Sequence, residues 1–111
     1  MQELILDGNW LENKSTGVLA KVLRELSIER LRLRDNKLSA KGLMTFFYYL
    51  KTNRSLTHLD LSDNNFSDYE AGKRNSLDFY LDSNQSLESL KFENCNLEKD
   101  FCKFYFLFFS C

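Results

Sequence analysis

Hydrophobic residues along this chain switch between two spacings. In short stretches they alternate, as in Leu4-Ile-Leu6, Leu31-Arg-Leu33, Leu59-Asp-Leu61 and Leu90-Lys-Phe92. Between these stretches they recur every three or four residues. The first spacing gathers apolar side chains on one face of a strand, the second on one face of a helix. Leu43, Phe46, Phe47 and Leu50 make the clearest helical stripe. Val18, Leu19, Val22, Leu23 and Leu26 make a second, and Leu77, Tyr80 and Leu81 a shorter third. The chain therefore reads as strand-helix units in succession. Helix starts are predicted at Ser15 or Thr16, at Ser39, and at Ser67 or Asp68, whose side-chain oxygens can accept from first-turn amides. Helix ends are predicted at Asn53 and Asn84, a residue type that tolerates the left-handed cap conformation.

The strand segments share an eleven-position frame, LxxLxLxxNxL. Met1 to Leu11, Ile28 to Leu38, Leu56 to Phe66 and Leu87 to Leu97 superimpose on it, with second leucines at 4, 31, 59 and 90. A unit of this kind cannot bury its apolar side alone, whereas stacked copies share one core. The expectation is a single domain over 1–111, with repeats at about 1–27, 28–55, 56–86 and 87–111. The asparagine at the ninth frame position, Asn9, Asn36 and Asn64, is suited to bonding the main-chain groups where the strand turns outward. Cys95 takes that position in the fourth copy and is read as structural, a weak donor that tolerates burial.

These four frames resemble the leucine-rich repeat family, and the 27-to-31-residue period with a full helix is similar to its ribonuclease-inhibitor-like subclass. The resemblance covers about residues 1 to 100. It implies an α/β solenoid in a horseshoe-like arc, with parallel strands on the concave face, helices on the convex face, and recognition of protein partners. Relatives include enzyme inhibitors, immune sensors, actin-filament cappers and activators of small GTPases, so the fold does not choose a function.

In that geometry the non-leucine strand positions face the concave groove and form columns across the repeats. The third-position column is Glu3, Arg30, His58 and Ser89; the fifth is Ile5, Arg32, Asp60 and Lys91; the seventh is Asp7, Arg34, Ser62 and Glu93. Arg30, Arg32 and Arg34 thus stand side by side, and the planar guanidinium suits bidentate capture of an acidic partner surface. The competing reading pairs them internally: Glu3 with Arg30, Asp60 with Arg32 and Asp7 with Arg34. Trp10 is either a hot-spot residue at the groove edge or a shield for the first strand. The candidate partner-binding set is Trp10, Arg30, Arg32, Arg34, His58, Asp60 and Lys91. The leading expectation is a non-enzymatic protein-binding scaffold. The alternative, a small-GTPase regulator, would rest on Arg34 and lacks the acidic tail that such relatives carry.

Composition changes this picture little. Across 111 residues the chain is 43% hydrophobic and 28% charged with a net charge of -1, a globular balance with no global field for nucleic acid or an anionic membrane. One histidine and the absence of HExxH, GxSxG and P-loop strings give catalysis no support. No cofactor or metal site is expected; Asp60, Asp63 and Asp68 follow the repeat rather than a calcium loop. Three cysteines without a pairing pattern and no export signal point to free thiols and a cytoplasmic location, which leaves the Asn-x-Ser strings at Asn13, Asn53, Asn65 and Asn84 unglycosylated. The chain opens inside a repeat and closes on the aromatic run 101–111, which reads as a piece of a longer solenoid or a shortened product of one. Phe101, Phe104, Tyr105 and Phe108 are expected on a fourth helix face, and the remaining aromatics offer a route to self-association.

Overall fold

The structure, a computed structural model, describes residues 2–70, 76–83, 86–97 and 109–110. Strands β1 (Glu3–Ile5), β2 (Arg30–Arg32), β3 (His58–Asp60) and β4 (Ser89–Lys91) alternate with helices α1 (Thr16–Leu26), α2 (Ala40–Tyr49) and α3 (Ser76–Ser83), and a short 3-10 turn, Asn13–Ser15, leads into α1. The strands form one parallel sheet in sequence order. The central leucines of the frame meet in register, Leu4 beside Leu31, Leu31 beside Leu59 and Leu59 beside Leu90. Phe109–Ser110 adds a fifth strand, β5, parallel to β4, with Phe109 beside Leu90 and Ser110 beside Lys91. That strand was not foreseen; the expected helix face from Phe101 to Phe108 lies outside the described residues, as does Asn84.

The leucines of the alternating stretches and the helix stripes share one core. Leu31, Leu33, Leu59, Leu61, Leu90 and Phe92 are buried with Leu43, Phe46, Phe47 and Leu50 of the second unit. Each of these side chains contributes roughly 2 kcal/mol through its removal from water. Helix α2 packs against both α1 and α3. Among the described residues helix α1 packs against α2 and the 3-10 turn, and Val18, Val22 and Leu26 on it remain exposed.

The ninth-position asparagines form the expected ladder. Asn36 Oδ1 accepts from the amides of Asn9 (2.8 Å) and Leu11 (3.4 Å), while its Nδ2 donates to Leu6 O at 2.9 Å. Asn64 repeats this one unit on: its Oδ1 accepts from Asn36 N (2.9 Å) and Leu38 N (3.1 Å), and its Nδ2 donates to Leu33 O at 2.9 Å. Cys95 fills the next rung with its thiol, donating to Leu61 O at 3.3 Å. Burial raises that thiol from 9.0 to about 11. On either side of the ladder the chain turns through left-handed backbone. All four eighth-position residues have positive φ (Gly8, Asp35, Asp63 and Asn94), as do Trp10, Lys37 and Asn96 at the tenth. Asp and Asn predominate there because they bear that conformation best after glycine.

Helix caps differ from the expected ones. Ser39 is the N-cap of α2, but its side chain makes no cap bond. Asn13 of the preceding unit supplies it instead, accepting from Ser39 N at 2.9 Å and donating to Ser39 Oγ at 2.7 Å. Asp68 of the following unit accepts from Ala40 N at 3.0 Å. Ser67 and Asp68 therefore sit in a turn rather than starting a helix, and α3 is described from Ser76. Asn53 is likewise not left-handed; it is buried, and its Oδ1 accepts from Ser55 N and Leu56 N. The left-handed cap is Ser27, which closes α1 at φ 52°.

Candidate partner-binding face

The pleat that sends leucines into the core sends the residues on either side of them to the other sheet face. Glu3, Arg30, His58 and Ser89 stand in one register column, and Ile5, Arg32, Asp60 and Lys91 in the next. All of them but Ile5 line a shallow, solvent-open depression of about 140 Å³. The candidates Arg30, Arg32, His58, Asp60 and Lys91 are thus brought together; Arg34 and Trp10 lie beyond it, toward the turns.

Arg32 and Arg34 do pair internally, with partners other than those the columns suggested. Arg32 Nη2 reaches Asp7 Oδ2 at 2.5 Å instead of pairing with its lateral neighbour Asp60. Arg34 leaves Asp7 to its own backbone, whose amide donates to Asp7 Oδ1 at 2.9 Å. Its guanidinium turns to Asp63 (Nη2 to Oδ2, 3.1 Å) and to Asp60 (Nη1 to Oδ2, 3.5 Å). The lateral register is right but the pairs run diagonally, because a guanidinium on its long stem reaches past the adjacent strand position. The hydrogen bond to Asp63, then the charge of Asp60, hold the Arg34 guanidinium above its ordinary value. Donation from Asn94, then from Arg34, holds the Asp63 carboxyl below its own.

Asp60 is only 8% exposed and also accepts from Ser62 N at 3.0 Å, so it serves the sheet. His58 is half-buried beside Thr57, with Oγ1 2.8 Å from Nδ1. Thr57 Oγ1 also lies 3.0 Å from Glu29 O, which ties the His58 ring to the neighbouring strand. Lys91 is exposed and enters no ion pair among the described residues. Trp10 is 70% exposed, with Lys37 Nζ 4.9 Å from the ring centroid. Ile5, 52% exposed beside Arg32, was absent from the candidate set although its column position signalled it. Among the described residues no group of His, Cys, Asp and Glu is arranged to hold a metal, and no helix is long and apolar enough to cross a membrane.

Two segments, residues 24–47 and 52–68, match the family model described as Leucine Rich repeat. Each spans a strand of the sheet, and the first also holds most of α2. No solved structure matches the chain.

Proposed function

We propose, from the premise that this chain carries leucine-rich repeats, that it is a non-enzymatic scaffold holding a protein partner against the open, concave side of its sheet. Leucine-rich repeats generally mediate protein-protein interaction. The observation that carries the reading is the registered pair of polar columns across β1 to β4, whose side chains are spared from the core and line one depression. Arg32 and Arg34 are committed to Asp7, Asp60 and Asp63, so they stiffen the face. Ile5, Trp10, His58 and Lys91 are the side chains that can meet a partner without breaking an ion pair. An exposed aromatic and an aliphatic flanked by cations form the composition of an interface centre with a polar rim. The small-GTPase reading depends on Arg34, and no observation favours it.

The test is affinity capture from lysate by the intact chain, followed by the variants Lys91→Glu and Trp10→Ala. Each should lower recovery of a specific partner about tenfold, the scale of one interface hot spot. Arg24→Glu on α1 should not. Recovery unchanged by both groove variants would remove this face from consideration. Reversing Arg32 or Arg34 is a poorer test, since it also breaks the sheet's own ion pairs.

A further inference from the structure

The helical side of the first two units has a character that the net charge conceals. Between Asn13 and Leu26 and between Ala40 and Lys51 stand five cations, Lys14, Lys21, Arg24, Lys41 and Lys51, and one acid, Glu25. Three of the lysines, Lys14, Lys21 and Lys41, line a single cleft of about 500 Å³ between the 3-10 turn, α1 and α2. None of the residues lining it is acidic. Two acids flank it: Glu12, exposed and 3.8 Å from Lys14, and Asp68, which accepts from Ala40 N at 3.0 Å.

The cleft has a defined floor. Gly17 lies beneath the Tyr49 ring, so close that a Cβ there would be 3.3 Å from Tyr49 Cε2. Tyr49 in turn carries Lys21, whose ammonium is 5.3 Å from the ring centroid. That stacking keeps Lys21 over the opening and lowers the entropy lost when it binds. Thr45 and the Tyr49 ring complete the wall, the Thr45 hydroxyl donating to Lys41 O at 3.1 Å. Helix α1 starts at the same place with no side-chain cap bond and no acid in its first turn, so its positive end adds to the field.

We propose that this cleft binds a phosphate-bearing polyanion, either a soluble polyphosphorylated molecule or a phosphorylated lipid headgroup. Three compact ammonium groups around one opening repel one another, and a group carrying two or three negative charges in a small volume relieves all of that repulsion at once. The size suits a single small ligand rather than the edge of a folded partner. The field is local, acting within a Debye length of about 8 Å, so an overall charge of -1 does not oppose it. The site is independent of the open sheet face and does not rest on its partner.

Calorimetric titration of the intact chain with tripolyphosphate at low salt tests the soluble source. Sedimentation with phosphatidylcholine vesicles, with and without a phosphatidylinositol phosphate, tests the lipid source. Lys14, Lys21 and Lys41 are all exposed, so Lys→Gln at each leaves the core untouched, and a thermal melt checks that it does. Each of K14Q, K21Q and K41Q should weaken binding about threefold, and the triple variant should abolish it. K91Q, on the opposite side of the sheet, should leave it unchanged. Binding in either arm with that pattern upholds the site and identifies its source. Absence of binding in both arms overturns the proposal, and so does a K91Q loss equal to that of K21Q, which would mark a response to total charge.

Discussion

A single side chain repeated at one frame position holds each outward turn of this molecule. Asn36 satisfies two amides and a carbonyl of the preceding unit, and Asn64 does the same one unit on. Asn36→Ala strands those groups in a part-buried layer and should cost about 3 kcal/mol in urea denaturation. Cys95→Ala removes only weak thiol bonds and should cost about 1 kcal/mol, mostly as lost packing. Equal losses at the two sites would mean the ladder adds nothing beyond volume. The ladder was legible in the sequence because one residue type recurs at a fixed offset from the leucines. The arginine partners were not, since spacing places a Cα and leaves the end of a long side chain undetermined: Arg32 and Arg34 both bypass the neighbours that register assigned them.

Helix α2 shows how elements here depend on one another. Its N-terminus is completed by Asn13 from one side and Asp68 from the other, and Gly42 is the residue that lets Asn13 in. A Cβ at Gly42 would fall on Asn13 Oδ1. Gly42→Ala should therefore cost about 2 kcal/mol despite improving helix propensity, and Asn13→Ala about 1 kcal/mol. The double variant should cost no more than Gly42→Ala alone, because truncating Asn13 removes its Oδ1 and Cγ and leaves its Cα, 3.1 Å from the methyl, as the remaining close contact. Strict additivity in thermal melts would refute the clash. The α2 stripe was read correctly from its period, since the burial of Leu43, Phe46, Phe47 and Leu50 follows it, whereas Val18, Val22 and Leu26 of the α1 stripe stay exposed. The helix starts at Ser15 and Ser39 were read correctly, but the groups that cap α2 were not, because a local rule looks within a few residues while these come from 26 and 28 residues away.

For the molecule as a whole, two protons tie global stability to alkaline pH. Burial raises Cys95 from 9.0 to about 11 and Tyr80 from 10.0 to about 12, so the folded chain holds both protons more tightly than the unfolded chain does. Their contribution is fully present below about pH 9 and is lost as pH rises from 9 toward 12. The melting temperature should hold to about pH 9 and then fall, with the earlier part of the fall absent in Cys95→Ala. A Cys95→Ala curve parallel to that of the parent would locate the loss elsewhere. The parallel order of β1 to β4 was what the family resemblance implied, and the frame then set their register, because a one-residue slip would turn the leucines to solvent. The cluster of cations on the helices of the first two units did not follow from composition, which sums over the whole chain.

The ladder also has a direction. Every asparagine rung reaches back, from Asn36 to Leu6 and Asn9 and from Asn64 to Leu33 and Asn36, and none reaches forward. The amides of an outward turn are thus met by a side chain from the following unit, 25 to 28 residues further along the chain. Damage should therefore show one unit upstream of its cause: Asn36→Ala opens the turn at Asn9 and Leu11, while the turn that carries Asn36 stays held by Asn64.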